Sequence, residues 1–401
     1  MRTISLFVLS LLATAAMPAW AESVEGVVER QASRWDQDGS TIITASLIRE
    51  PGGALREVVQ IGGSVDGIGM HFSHQPPVLK VGQAVVLRAE VARSISGAES
   101  WVVQSVQTQA ISTRLYAITT PANYGVERTR ESGRALHYQA GCVHYVYDAK
   151  GTTHLGNDTE FEVLDAAFDT WAGAAEECGM LAFTRELAEL GAVGRDGLST
   201  VTFREESWCR PATATEPRIC YDPAAGAVTR LIFVDDASDP LDGTILEADI
   251  DINAVDFALA DRGASLSEKG ELVDLQSVLT HEVGHALGLT HNCWNGAGQQ
   301  ALDHFGRLVP HCDELPLGSP ALQATMYYQV QPGKTDQQTL EDGDRAAVCA
   351  ISHGQDCAMN YTGGCSAAGV STSNFALLSL LALFVAMSCG RQRRLRVGAY
   401  R

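Results

Sequence analysis

Along residues 22 to about 115 the apolar positions come in short runs. Val24 to Val28, Thr41 to Leu47, Val58 to Ile61, Ala84 to Val91 and Trp101 to Val106 are rich in β-branched residues, and Gly, Pro and Asp clusters separate them. That pattern predicts five or so short strands, a number that suits a small all-β domain closed as an OB-like barrel. Gly62, Gly63, Gly67 and Gly69 lie close together, as a tight bend or bulge needs. Residues 116 to 135 carry Pro121, Gly125 and Gly133 and read as a polar linker. Beyond it the period changes. Cys142 to Tyr147 reads as a strand. Thr159 to Cys178 reads as an amphipathic helix, with Phe161, Leu164, Phe168, Trp171 and Ala175 on one face and Thr159 with Glu162 as a capping box. Val201 to Phe203, Leu231 to Val234 and the partly alternating Ile245 to Ile252 predict strands. A helix from about Asp274 follows, with Leu275, Val278, Leu279, Val283, Ala286 and Leu287 as its apolar side.

That helix carries the densest chemistry in the chain, His281-Glu282-Val283-Gly284-His285-Ala286-Leu287-Gly288-Leu289-Thr290-His291. His281 and His285 are one helical turn apart on one face, so both imidazoles can reach one tetrahedral zinc with Glu282 beside them as general base. Gly288 can take a positive φ and end the helix, which would bring His291 back as third ligand. Three protein ligands leave a fourth position open, the mark of a catalytic rather than a structural zinc.

This eleven-residue pattern resembles the zinc signature of the metzincin metalloproteases, and the chain looks like the bacterial matrixin-like members. The resemblance implies an α+β fold: a metzincin-like catalytic domain over residues 136–356, with a twisted sheet, a backing helix, the active-site helix and a methionine turn. It implies a secreted or cell-surface zinc endopeptidase acting on protein or peptide. Met326, in Ala324-Thr325-Met326-Tyr327-Tyr328, matches the methionine turn. Tyr328 stands where astacins and serralysins place a zinc-proximal tyrosine; packing in the pocket wall is the other reading. Asn292 after the third histidine matches none of the best-known subfamilies. The resemblance also makes Ile245 to Ile252 the edge strand that pairs with substrate, and its Asp249 and Asp251 either calcium ligands or a solvent face. Trp35-Asp36 with Gly39-Ser40, then Gly62 to Val65, resembles N-terminal modules found beside such proteases.

Both ends read as processing signals. Arg2, the apolar Ile4 to Ala16 and Ala19-Trp20-Ala21 make residues 1–21 a secretory signal peptide. In residues 357–401, Gly363-Gly364-Cys365 precedes an apolar run from Phe375 to Cys389 and an arginine cluster. The order resembles Gram-negative C-terminal sorting tails, of the GlyGly type or the cysteine-containing myxobacterial type. The tail implies a sorting peptidase as partner and an outer-surface or extracellular location. A plain transmembrane anchor, with its arginines held inside, is the alternative.

The chain has 29 Lys+Arg against 48 Asp+Glu, a net charge of −19, and removing both end segments would take away six arginines and no acids, leaving −25. That disfavours nucleic acid as a partner. Of ten cysteines, Cys365 and Cys389 fall in the tail. The other eight, all after residue 140, suit disulfides in an exported protein, with 142–178, 209–220, 293–312 and 349–357 the simplest pairing. Pro217-Arg218-Ile219-Cys220-Tyr221-Asp222 resembles the cysteine segment of matrixin propeptides, but it lies inside the catalytic region with Cys209 near. Residues 22–141 hold no cysteine, so latency would need an aspartate or a steric block. A surface adhesin with an inert protease fold is the rival reading; intact Glu282 and three histidines argue against it.

Overall fold

The computed structural model describes residues 21–352, except 108–123, 140, 179–180, 191–193, 262–271, 297–299 and 331–332. Its first seven strands are β1 (Glu22–Trp35), β2 (Ile42–Arg49), β3 (Leu55–Ile61), β4 (Gly63–Val65), β5 (Ile68–Phe72), β6 (Ala84–Arg93) and β7 (Glu99–Gln107). Five of them close into a barrel in the order β1-β2-β3-β7-β6. Alternate residues point inward, so Val24, Val28, Ile48, Val58, Leu87 and Ala89 fill the interior. β1 is long enough to pair with both β2 and β6, and its register shifts between Val28 and Arg30. Such a bulge bends the strand around the closing corner.

β4 and β5 leave the barrel. Gly62 and Gly63, at φ 93° and 130°, turn the chain out of β3, in backbone conformations that glycine adopts without strain. Asp66 and Gly67, at φ 51° and 75°, have the two positive angles of a type I′ hairpin turn, and they join β4 to β5.

The later strands are β8 (Gly125–Val126), β9 (Gly141–Asp148), β10 (Leu181–Ala188), β11 (Ser199–Arg204), β12 (Cys209–Arg210), β13 (Ile219–Cys220), β14 (Ala227–Val234) and β15 (Ile245–Asn253). A seven-stranded sheet runs β10-β9-β11-β15-β14-β5-β4. Its first four strands are parallel, while β14, β5 and β4 are each antiparallel to their neighbours. Helices α1 (Thr159–Cys178), α2 (Leu275–Ala286) and α3 (Asp342–Ser352) complete this part. The predicted face of α1 is buried at Leu164, Phe168, Trp171 and Ala175. Trp171 Nε1 donates to the Thr280 carbonyl at 2.7 Å, tying α1 to α2. The Thr159 hydroxyl donates back to the Gly156 carbonyl at 3.0 Å, so the expected capping box is replaced by a turn contact.

Several expectations need correction. The chain is mostly β, 40% strand against 17% helix, and its three α-helices are the only ones among the described residues. That overturns the α+β metzincin-like class. The physical reason is local. The long stretch between α1 and α2 is rich in β-branched residues, and the loop after α2 is broken by glycine and proline into 3₁₀ turns and a disulfide. The described part of the expected linker is woven into the core: Tyr124 and Val126 are buried, and β8 pairs with both Leu289–Thr290 and Leu302–Asp303.

β15 is not an edge strand, because β11 and β14 flank it. Asp249 and Asp251 are buried rather than on a solvent face. Asp249 accepts from Thr200 and Arg230, and Asp251 from Thr202 and Arg204. Cys209–Cys220 and Cys293–Cys312 are disulfides, and Cys349 is disulfide-bonded too. The 142–178 pair and Cys357 lie outside the described side chains. So do the signal peptide, Gly363-Gly364-Cys365 and Phe375 to Cys389. Among the described residues no helix is long and apolar enough to cross a membrane.

Candidate metal centre

α2 is fixed at both ends. Asp274 caps its start by accepting from Ser277 N at 2.8 Å, which satisfies a donor that the first turn leaves unpaired. Gly288 ends it at φ 91°, as the sequence predicts. The chain then enters Leu289–Thr290, which pairs with β8 and brings His291 against the helix. Every residue of α2 is buried, so it is a core helix rather than an amphipathic one.

The three predicted histidines converge. Ring centroids lie 4.7 Å apart for His281 and His285, 5.2 Å for His281 and His291, and 5.0 Å for His285 and His291. His281 Nδ1 is 2.6 Å from the Thr325 carbonyl, and His285 Nδ1 is 2.8 Å from the Leu289 carbonyl. A nitrogen facing a carbonyl must carry the proton, which leaves each Nε2 as a bare lone pair. Those two Nε2 atoms face each other at 3.0 Å, and the buried Nε2 of His291 has no hydrogen-bond partner. Lone pairs that meet without a donor between them are a set built for a cation. Burial pulls His281 down to about 4 and pulls His285 and His291 down as well, so all three imidazoles are neutral and fit to ligate.

A fourth histidine, which the sequence reading missed, completes the group. His74 follows β5, and its ring lies 5.4, 5.3 and 4.9 Å from those of His281, His285 and His291. One nitrogen from each of the four falls within 4.8 Å of the others. His74 sits at φ 56°, a left-handed conformation uncommon for a side-chain-bearing residue and frequent at functional sites. No local pattern marks it. The one hint is the glycine-rich hairpin before it, which aims the segment away from the barrel.

Glu282 is almost wholly engaged. His74 Nε2 is 3.0 Å from its Oε1, Ser73 Oγ donates to Oε2 at 3.2 Å, and Thr229 Oγ1 donates to Oε2 at 2.6 Å. Burial raises the Glu282 carboxyl, but the electrostatic pull and hydrogen bond of His74 outweigh it and hold the group below the usual carboxylate range. Met326 is fully buried beneath α2. Its backbone carbonyl accepts from Asn292 N at 2.9 Å. Buried Asp344, also missed from sequence, accepts from Thr325 N at 2.9 Å and Met326 N at 3.3 Å and so shapes the turn. The Tyr328 ring stands edge-on to His291 at 6.4 Å and packs with the Cys293–Cys312 cluster.

No protein-family model matches the chain, and no curated protein matches it.

Proposed function

We propose that the chain is a zinc-dependent endopeptidase whose metal is held by His281, His285 and His291, with Glu282 as general base. The observation that carries the reading is the convergence of three imidazole nitrogens, two facing each other at 3.0 Å and one without a hydrogen-bond partner, next to the buried Glu282 carboxylate. The likeness to metzincins rests on this motif and on Met326, and not on the architecture. A zinc ion supplies Lewis acidity, polarising a carbonyl and acidifying water toward about 7. The protein does the rest. Glu282, fixed by Thr229, takes the proton of the attacking water and returns it to the leaving amine. The Thr325 and Leu289 carbonyls hold the ligand rings in one tautomer. β14 borders the site through Thr229, and its outer edge is paired with β5. Imidazole also suits copper, nickel and iron; three histidines with a neighbouring glutamate favour zinc.

One observation favours the rival reading of an inert binding protein: a fourth histidine, His74, joins the three. The test therefore uses His74→Ala as the parent protein. We expect one zinc per chain and chelator-sensitive cleavage of casein. Adding Glu282→Ala should keep the zinc and lose at least about 10²-fold of the rate. Cleavage that survives Glu282→Ala would remove the mechanism.

A further inference from the structure

The strand that seats His74 lies where a peptide substrate would pair. β5 covers the outer edge of β14 in antiparallel register, with Met70 opposite Ile232 and Phe72 opposite Arg230. The pairing continues to the site itself. Ser73 N donates to the Thr229 carbonyl at 2.8 Å, and Thr229 N donates to Ser73 Oγ at 2.8 Å. The backbone then bends at His74 and puts an imidazole among the three ligands. Ser73 and His74 together hold Glu282. So one short segment takes up the outer edge of β14, joins the histidine cluster and holds Glu282.

We propose that residues 68–74 are a built-in, substrate-like plug and that His74 is a fourth ligand of the metal, so that the protein as folded is latent. This rests on the hydrolase reading above. The substrate it implies is an extended polypeptide that adds to β14 in place of β5. The plug has no cysteine, in keeping with the absence of any from residues 22–141. The block is instead an imidazole on a strand. It is tethered on both sides: β4 leads back to the barrel, and Leu79 is buried within it. Gln60 Nε2 also donates to the Pro77 carbonyl at 3.0 Å. A tethered ligand acts at an effective concentration of order millimolar, so free peptide competes poorly until the plug moves.

Two variants displace the plug in different ways. His74→Ala removes the ligand alone. Gly69→Leu leaves His74 in the chain but unseats β5, because even a Cβ at Gly69 would lie 2.3 Å from the Phe233 ring. Zinc-loaded protein is examined by X-ray absorption, which counts imidazoles on the metal, and by cleavage of a quenched peptide. We expect four imidazoles in the wild type and three in His74→Ala, with cleavage at least about tenfold faster in both variants than in the wild type. Three imidazoles in the wild type, together with wild-type cleavage equal to that of His74→Ala, would overturn the plug and leave the hydrolase reading intact. Four imidazoles falling to three, with no cleavage in either variant, would overturn the hydrolase reading and the latency with it.

Discussion

Gly284 and Gly288 do different work within one turn of each other. A Cβ at Gly284 would meet Met326 Sδ at 2.2 Å and Trp171 at 2.9 Å, so α2 is clamped between α1 and the turn that carries Met326, at the point between His281 and His285. Gly284→Ala should destabilise the protein by about 1–3 kcal/mol, the cost of overpacking a core, and thermal unfolding would read it as a lowered midpoint. Gly288 has a conformational role: at φ 91° an alanine should cost of order 1–3 kcal/mol and weaken zinc retention by misplacing His291. Unchanged unfolding in both variants would contradict this packing. At this scale the sequence was readable where chemistry and spacing coincide. His281, Glu282, His285, Gly288 and His291 fall within eleven positions, and Gly288 takes the predicted backbone angle. His74 and Asp344 were not readable. Each reaches the site by tertiary contact from a distant segment, and neither stands in a pattern that spacing could single out.

Periodicity found strands and helices but not their neighbours. The alternation in Ile245 to Ile252 correctly marks a strand, yet its polar positions are buried because Arg230, Arg204, Thr200 and Thr202 lie across from Asp249 and Asp251. Burial and the adjacent Asp249 push Glu247, on the same strand, up to about 8 from an ordinary 4.5. Its folded value is raised, so its contribution to stability is whole below about pH 4.5 and is lost as the pH climbs through about 8. Denaturation midpoints should fall across that window, and Glu247→Gln should flatten the fall; an equal slope in the variant would refute it. The loop after His291 shows the limit of pattern differently. It has no apolar period, but its cysteines announce a staple, and Cys293–Cys312 closes it. Replacing both with serine should cost about 3 kcal/mol, measured by urea unfolding. A loss near zero would mean that Asn292 and its bonds to Met326 and Ala321 hold the loop unaided.

For the whole molecule, the N-terminal strands and the later sheet share packing over the described residues. Ile42, Ile43, Met70 and Phe72 from the N-terminal part share a core with Ile219, Tyr221, Val228 and Ile232. Arg210 pairs with Asp36 across the same junction. The sequence could not show this, because a hairpin that leaves its own barrel to join a distant sheet has the same alternation as one that stays. That hairpin also closes the site. The most direct test of the account is the cleavage rate of a quenched peptide at matched zinc occupancy in the wild type, in His74→Ala and in His74→Ala with Glu282→Ala. The account predicts a slow wild type, a fast His74→Ala protein and an inert double variant. A zinc-loaded His74→Ala protein that cleaves nothing, or a double variant that cleaves as fast as its parent, would contradict it.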